Sequence, residues 1–312
     1  MNGRALIYGT IAIDTLLTPT GSAHAVLGGS GPYAALAARL VTDRCDLIGV
    51  VGDDYPPAFR EQMEACGVSY RYVEQIAGRT FAWTGQYERD MNHRRSLSTL
   101  EGVQEVWQLQ LPPELRSPSV AVACNVTPRL QTRMMEQCER SAFSMADFME
   151  SWILRERDYV NGLLARVDLA LMNDSEVCCF AGTGDVLKAG QCLLEAGPRY
   201  AIVKHGSAGS TLLYRGASGE PEFFRLPAWP LLHAEDPTGA GDAYMGALAG
   251  SLTLCACPEN PRPEDLKRGM AVATVVAAAV CERFGAESLM ALTPEIMQER
   301  LRRFRAMTQW SL

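Results

Sequence analysis

The chain has 312 residues, of which 47% are hydrophobic and 21% are charged, and its formal net charge at pH 7 is -7. This length and apolar content suffice for a substantial core, in one large α/β domain or in two ordinary domains. Because the charge is mildly negative and no basic block occurs, the sequence disfavours nucleic acid and membranes as partners and favours small molecules.

The cysteines and the apolar runs do not indicate a zinc protein, a disulfide-bonded protein or a membrane protein. The closest cysteine pairs, Cys178-Cys179 and Cys255-x-Cys257, lack the spacing of a zinc site, so we expect buried thiols and no disulfide framework. The N-terminal residues lack the apolar core of a signal peptide, and residues 271–280 are about half the ~20 needed to span a bilayer. We therefore expect a cytoplasmic protein.

Residues 5–8 form a short apolar run that predicts a strand buried on both faces of a parallel sheet. Asp14 follows soon after it. Ligands of open α/β sheets bind beyond the carboxyl ends of the strands, so Asp14 is well placed to bind hydroxyl groups. An exposed charge in a loop is the alternative that the residue alone leaves open.

Gly28 and Gly29 precede an alanine-rich segment that predicts a helix. Gly29-Ser-Gly31-x-x-Ala34 formally matches a dinucleotide fingerprint, with Asp53 and Asp54 about twenty residues later as candidate ribose ligands. The match is weak, because the bulky Tyr33 stands where a phosphate would approach. It leaves a dinucleotide-dependent oxidoreductase as an alternative function.

Residues 79–87 alternate between apolar and polar in the pattern of a half-buried strand, and residues 94–99 are its expected hairpin partner. Residues 18–27 predict another small hairpin. Together, segments 15–27 and 79–100 predict a small sheet beside the main one. Ordinary surface hairpins are the alternative.

Further apolar strands are predicted at 120–124, 142–145, 167–172 and 200–204, with helical stretches between them. Strands that alternate with helices favour a doubly wound, mostly parallel sheet flanked by helices. We expect Asp147, at one strand end, to cap the turn that follows.

Asn173-Asp174-Ser175-Glu176 lies between a predicted strand and a helix. Its oxygen atoms suit a hard, hydrated cation such as Mg²⁺, although a helix cap explains the same residues equally well. Farther along, Lys204 and the small residues between Gly206 and Gly209 allow backbone to approach a phosphate or a ribose. A solvated lysine at a strand end is the simpler interpretation of Lys204.

The sequence from Asp236 to Leu248 predicts a glycine turn that opens onto a helix. The N–H groups at such a terminus have no partner inside the helix and attract anions such as phosphate. Asp242 would repel a phosphate there, but it could remove a proton from a hydroxyl that attacks the phosphate. Alternatively, Asp242 merely favours the first helical turn.

The stretch Asp236-Pro-Thr-Gly-Ala-Gly-Asp242-Ala closely resembles the C-terminal signature of the ribokinase-like (PfkB) carbohydrate kinases. The other motifs occur in family order over most of the chain, and no Gly-x-x-x-x-Gly-Lys-Ser/Thr motif of a P-loop kinase is present. The resemblance implies one ribokinase-like domain over residues 1–312. It also implies that the small sheet is a lid over the sugar and a possible homodimer interface.

The resemblance further implies roles for individual residues. Gly239, Ala240 and Gly241 correspond to the anion hole, with Asp242 as the catalytic base. Acceptor ligands would be Asp14, Gly28, Gly29 and Tyr33, the last in place of an expected asparagine, together with Arg79 and Trp83 on the lid. Nucleotide ligands would be Asn173, Lys204, Gly206, Gly209 and Thr238; Asn173 and Glu176 would organise Mg²⁺, and Asp236 a monovalent cation such as K⁺.

These assignments predict an ATP-dependent kinase that phosphorylates a hydroxyl of a neutral polyhydroxyl compound. No basic residue occurs in 11–17 or 28–35, which leaves only Arg79 and the Arg94-Arg95 pair on the lid and disfavours a phosphorylated acceptor. A sugar, a nucleoside and a cyclic polyol such as inositol all fit the aromatic residues near the expected pocket. A non-catalytic sugar sensor on the same scaffold is a further alternative.

Overall fold

The computed structural model describes residues 3–91, 93–139 and 142–309. Within these ranges the strands are β1 (Ala5–Tyr8), β2 (Ala12–Thr18), β3 (Gly21–Gly28), β4 (Cys45–Val51), β5 (Tyr72–Gln75), β6 (Phe81–Tyr87), β7 (Arg94–Leu100), β8 (Val120–Ala123), β9 (Phe143–Asp147), β10 (Leu169–Asn173), β11 (Tyr200–Lys204), β12 (Ser210–Arg215) and β13 (Pro221–Leu226).

The helices of the same ranges are α1 (Ser30–Arg39), α2 (Pro57–Ala65), α3 (Val103–Val106), α4 (Pro128–Gln137), α5 (Glu150–Arg155), α6 (Arg157–Leu164), α7 (Asp174–Ala181), α8 (Val186–Glu195), α9 (Ala240–Leu252), α10 (Pro263–Val280), α11 (Glu287–Ala291) and α12 (Pro294–Thr308). No described helix is long and apolar enough to cross a membrane.

The main sheet has nine strands in the order β13-β12-β11-β10-β9-β8-β1-β4-β5. All neighbours from β11 to β5 pair in parallel, and at one edge β12 runs antiparallel to both of its neighbours, β11 and β13. This confirms the predicted doubly wound, mostly parallel sheet. The chain reverses its direction of winding between β1 and β8, which is where ligands bind in such sheets.

Successive side chains of each main-sheet strand point to opposite faces of the sheet, and both sets are apolar. Both faces are therefore covered by helices. Ile7 of β1 belongs to a core shared with α1, α9 and α10. Leu6 and Tyr8 point the other way, into a core shared with α4, α6 and α8. The long apolar helix α10 therefore packs inside the protein, as its composition predicts.

A second sheet has the order β3-β2-β6-β7 and confirms the predicted small sheet. β2 pairs in parallel with β6, so each hairpin contributes its first strand to the centre. The first hairpin begins at Ala12, earlier than the predicted residues 15–27, which places Asp14 inside a strand of this sheet. We refer to this sheet as the lid.

Candidate active site

The turn at residues 239–242 lies where two cavities meet. Gly239 and Asp242 line one cavity, and Ala240 and Gly241 line the other. Gly239 precedes α9 with φ of 79°, and a Cβ there would lie 2.4 Å from the ring of Tyr33. Because the turn needs a left-handed residue without a side chain, only glycine fits at this position.

The first cavity, which we call the acceptor cavity after the role that the sequence predicts for Asp14 and Tyr33 in its lining, has a volume of about 270 Å³ and lies between the lid and the carboxyl ends of β1 and β8. Its lining includes Thr10, Asp14, Gly29, Ser30, Tyr33, Phe81, Trp83, Arg94, Glu101, Gln104, Asn125, Met149, Trp152, Arg155 and Asp242. Aromatic rings and hydrogen-bonding groups therefore surround the same space.

Three polar atoms in this lining have no hydrogen-bond partner among the described residues, although they are buried. They are Oδ1 of Asp14, the hydroxyl of Tyr33 and Oδ1 of Asn125. A buried polar atom without a partner costs free energy, and the hydroxyl groups of a ligand in this cavity are candidate partners for these atoms.

Asp14 is held against the glycine pair that precedes α1. Its Oδ2 accepts a hydrogen bond from the backbone N–H of Gly29 at 3.3 Å. A Cβ on Gly28 would come within 2.0 Å of the same carboxylate oxygen, so Gly28 lets the carboxylate approach the backbone without lining the cavity itself. Burial raises the pKa of Asp14 to about 7, and the Gly29 hydrogen bond opposes that shift.

We call the second cavity the nucleotide cavity, after the role that the sequence predicts for Lys204, Gly206 and Gly209 in its lining. It has a volume of about 610 Å³. Its lining includes Lys204, Gly206, Ser207, Gly209, Ser210, Pro227, Trp229, Pro230, Pro237, Ala240, Gly241, Tyr244, Thr274, Ala277 and Cys281. The small residues of the 206–209 turn lie on one side and α10 lies on the other. Trp229 adds an aromatic surface on which a nucleotide base could pack.

Asp242 lies in the first turn of α9, partly buried. Burial raises its pKa to about 7, Asp147 raises it further, and Lys204 and Arg94 lower it. A carboxylate with a pKa near neutrality accepts a proton more readily than an exposed aspartate does.

Asn173 and Glu176 form a capping box at the start of α7. Oδ1 of Asn173 accepts from the N–H of Glu176 at 2.9 Å, and Oε2 of Glu176 accepts from the N–H of Asn173 at 2.7 Å. No described residue donates a hydrogen bond to Oε1 of Glu176. The structure therefore contains the predicted helix cap and leaves one carboxylate oxygen for a cation.

The described residues contain no group of three or more His, Cys, Asp or Glu side chains arranged to hold a metal ion directly. Around Glu176 the donors are oxygen atoms, and burial raises the pKa of its carboxyl group. A nearby cation would offset that penalty. These residues fit Mg²⁺ that keeps most of its water shell.

Asp236 is fully buried and connects two loops. Its Oδ1 accepts from the N–H of Thr238 and its Oδ2 from the N–H of Gly285, both at 2.9 Å. Thr238 lines the acceptor cavity and donates a hydrogen bond from its Oγ1 to the hydroxyl of Tyr87 on the lid. Asp236 thus fixes the segment before the glycine turn.

On the lid, Trp83 lines the acceptor cavity, whereas Arg79 does not. The Arg79 side chain is 76% exposed and its Nε lies 3.5 Å from Asp54. Arg79 precedes β6, where the chain runs back to the loop after β4, so its side chain points away from the pocket. Arg94 lines the cavity instead, and its guanidinium lies 5.6 Å from the centre of the Trp83 ring.

The hairpin of β6 and β7 also contributes to the other cavity. Asp90 and Met91, at its turn, line the nucleotide cavity, while Trp83 and Arg94 line the acceptor cavity. A single hairpin therefore contacts both binding spaces.

The dinucleotide alternative is wrong on structural grounds. Oδ2 of Asp53 accepts from the N–H of Gly78, and Oδ1 of Asp54 accepts from the N–H of Thr80 at 2.7 Å. Both carboxylates thus bind the backbone just before β6 and do not serve as ribose ligands. Gly29 follows a lid strand rather than a strand of the main sheet.

Three lining residues were not anticipated from the sequence, namely Asn125, Trp152 and Arg155, and Arg94 was noted on the lid but not assigned to the pocket. Asn125 had a usable signal, since it is polar and lies two residues beyond the end of the buried strand β8. The prediction that Asp147 caps a turn was wrong, because Oδ1 of Asp147 lies 2.6 Å from Nζ of Lys204. Asp147 lies at the carboxyl end of β9, which faces the carboxyl end of β11 across one strand.

The doubly wound sheet, the lid and two cavities that meet at one glycine turn suit an enzyme that brings two substrates together. Residues 8–292 match the model of the pfkB family carbohydrate kinases, and the chain belongs to that family. The prediction of a PfkB-type kinase is thereby confirmed.

Two relatives and one solved structure illustrate the range of that family. The cytidine kinase of Thermococcus kodakarensis is 25% identical over 251 residues, which cover 78% of this chain and 87% of that protein. The fructokinase of Klebsiella pneumoniae is 25% identical over 279 residues, covering 83% and 88%. The structure of a Vibrio cholerae fructokinase, with fructose, ADP and potassium bound, matches with a TM-score of 0.79 at 16% identity, covering 96% and 99%.

Proposed function

We propose that the chain transfers the γ-phosphoryl group of ATP to a hydroxyl of a small neutral polyhydroxyl compound, with Asp242 as the general base. One observation supports this most directly. Gly239 and Asp242 line the acceptor cavity, and the next residues of the same turn, Ala240 and Gly241, line the nucleotide cavity. A group that passes from one cavity to the other must cross the N–H groups of this turn.

In the acceptor cavity, we assign hydroxyl binding to Asp14, Tyr33 and Asn125, because each keeps a buried polar atom without a partner. Gly28 and Gly29 hold the Asp14 carboxylate, and Trp83 provides an apolar face for a ring. We withdraw Arg79 from this set.

In the nucleotide cavity, Gly206 and Gly209 bring backbone to the nucleotide, and Lys204 lies on the phosphate side near Gly241. We assign Asn173 and Glu176 to the hydrated Mg²⁺, which when bound neutralises charge on the phosphates. Thr238 lines the acceptor cavity. We therefore place it beside the turn at residues 239–242, which we call the transfer point, rather than at the nucleoside.

For the reaction, the Asp242 carboxylate removes the proton of the attacking hydroxyl as that oxygen approaches the γ-phosphorus. The backbone N–H groups of Gly239 and Gly241 stabilise the negative charge on the transferring group, and the N–H of Ala240 between them donates in this structure to the carbonyl of Pro237 at 3.1 Å. Much of the remaining rate enhancement comes from holding acceptor and nucleotide in line across the turn.

A neutral acceptor agrees with the charges of the cavity. Two arginines, Arg94 and Arg155, line it, but so do the three carboxyl groups of Asp14, Glu101 and Asp242. No cluster of unopposed cations exists among these lining residues to bind a second phosphate.

A homodimer through the lid is also part of the proposal. β7 is exposed over its whole length and forms one edge of the lid. An exposed strand edge can pair with a second copy of itself. Sedimentation of the purified chain, compared with a variant that carries a proline in β7, tests this interface.

A phosphorylation screen tests the function. Pentoses, hexoses, inositols, nucleosides and fructose 6-phosphate are each offered with ATP and Mg²⁺, and ADP release and product mass are measured. Transfer to a neutral member of the panel supports the proposal, whereas fructose 6-phosphate as the best acceptor would contradict it. Tight binding of an acceptor without any transfer would favour the sensor alternative.

A further inference from the structure

Lys204 and Asp147 form a buried ion pair at the transfer point. Nζ of Lys204 lies 2.6 Å from Oδ1 of Asp147, and the two side chains are 17% and 9% exposed. They lie at the carboxyl ends of β11 and β9, on either side of β10. A buried ion pair contributes little net stability on average, so its presence calls for another reason.

The ammonium group lies beside the first turn of α9. A Cβ on Gly241 would lie 3.3 Å from Nζ of Lys204, and both residues line the nucleotide cavity. The N-terminus of a helix carries partial positive charge, so a buried cation next to it is repelled. An anion that contacts both the N–H groups of the turn and the ammonium group would remove this repulsion.

Carboxylates surround the Lys204 ammonium group. Its Nζ pairs with Asp147, and Glu176 and Asp242 lie close enough to interact with it electrostatically. The pair with Asp147 therefore holds the N–H donors of Lys204 ready for whatever binds beside Gly241.

We propose that Lys204 is a catalytic residue whose ammonium group binds an oxygen of the transferring phosphoryl group, and that Asp147 is a positioning residue that holds Nζ beside Gly241. The inference rests on the kinase function proposed above and extends it. It gives Lys204 a role in the transfer itself, beyond general neutralisation of nucleotide charge.

In the transfer step the acceptor oxygen forms a bond to the γ-phosphorus while the bond from that phosphorus to the β,γ-bridging oxygen breaks. The electron pair of the broken bond stays on the bridging oxygen, which leaves as part of ADP. The hydroxyl proton goes to Asp242. Lys204 keeps its protons throughout and compensates charge on the non-bridging oxygens, which a fixed donor in a water-poor site does well.

The test compares the wild type with Lys204→Met, Asp147→Asn and the double variant. Lys204→Met leaves a buried carboxylate without its partner, which threatens folding; the double variant removes both charges and avoids that problem. Lys188→Met is the matched control, since Lys188 forms an exposed pair with Asp185 at 3.9 Å. Melting temperature is recorded for every variant.

The first readout is nucleotide affinity, which needs no acceptor. Calorimetry measures ADP and a non-hydrolysable ATP analogue with Mg²⁺. We expect Lys204→Met and the double variant to lose on the order of ten- to a hundredfold in affinity for the analogue, while ADP binding changes little. Equal losses for both ligands, or no loss, would overturn the proposal. Failure of the wild type to bind either nucleotide would instead reject the kinase function itself.

The second readout is the rate with the best acceptor of the screen. We expect kcat of Lys204→Met and of the double variant to fall by about 10²–10³, with an acceptor KM close to that of the wild type. Asp147→Asn should lower kcat in the wild-type background but add nothing once Lys204 is methionine, because it acts through that side chain. If the folded double variant has a lower melting temperature but an unchanged kcat, the ion pair of Lys204 and Asp147 serves stability alone and the proposal is wrong.

Discussion

Replacement of Asp14 by asparagine is expected to stabilise the free enzyme at neutral pH while it weakens acceptor binding. Asp14 is 4% exposed, and its pKa rises from 3.8 to about 7, mainly through burial. Asparagine has nearly the same shape and keeps an oxygen that can accept from the N–H of Gly29. It removes a charge that the folded protein accommodates poorly.

The sign of the effect follows from proton linkage. Because the pKa of Asp14 is higher in the folded protein than in the unfolded chain, the folded state binds the proton more tightly. The destabilisation is absent below about pH 4, grows as the pH rises to about 7 and is constant above that. A shift of about three units corresponds to a free energy on the order of 4 kcal/mol when complete.

The assay is denaturant unfolding of the wild type and Asp14→Asn at pH 5 and pH 8 without ligands. Asp43→Asn, at an exposed position, serves as the control. We expect the variant's advantage in free energy of unfolding to be larger at pH 8, and its acceptor KM to be about ten- to a hundredfold higher, since a hydrogen bond to a charged group is lost. A variant that is less stable than the wild type at pH 8, or an unchanged acceptor KM, would refute the reasoning.

Three further predictions concern the transfer point. Asp242→Asn should lower kcat by about 10²–10⁴ with nucleotide affinity nearly unchanged. Because burial raises the pKa of Asp242 to about 7 in the free enzyme, wild-type kcat/KM should increase with pH up to that region; near-normal turnover of the variant would rule out the base. Glu176→Gln should raise the Mg²⁺ concentration for half-maximal activity, whereas unchanged Mg²⁺ dependence with a lower melting temperature would leave only the helix cap. Activity should be higher in K⁺ than in Na⁺ or a bulky organic cation, because we expect a cation beside Asp236; equal rates in all three buffers would contradict that.

Features that depend on a few consecutive residues could be predicted from the sequence. The glycine turn before α9 follows from the local pattern, and strand β11 was predicted with the bounds that the structure gives. The parallel order of the main sheet followed because strands and helices alternate along the chain. Such patterns report backbone preference and burial.

Features that depend on distant residues were harder to predict. The strand pattern of the lid does not tell which of Arg79 and Arg94 lines the acceptor cavity. The direction of each side chain depends on how the hairpin meets the loop after β4. Asp147 and Lys204 are 57 positions apart and meet only because β9 and β11 flank β10. Strand order is a property of the whole fold, and no local motif encodes it.

The hairpin of β6 and β7 has a consequence for how the two substrates bind. Because its turn lines the nucleotide cavity and its strands line the acceptor cavity, we expect either ligand to restrict the same segment. The ligand that binds first would bear the entropy cost of that restriction, and the second would bind to a segment that is already ordered. We therefore expect the two affinities to be linked, with each ligand strengthening the other by the same factor.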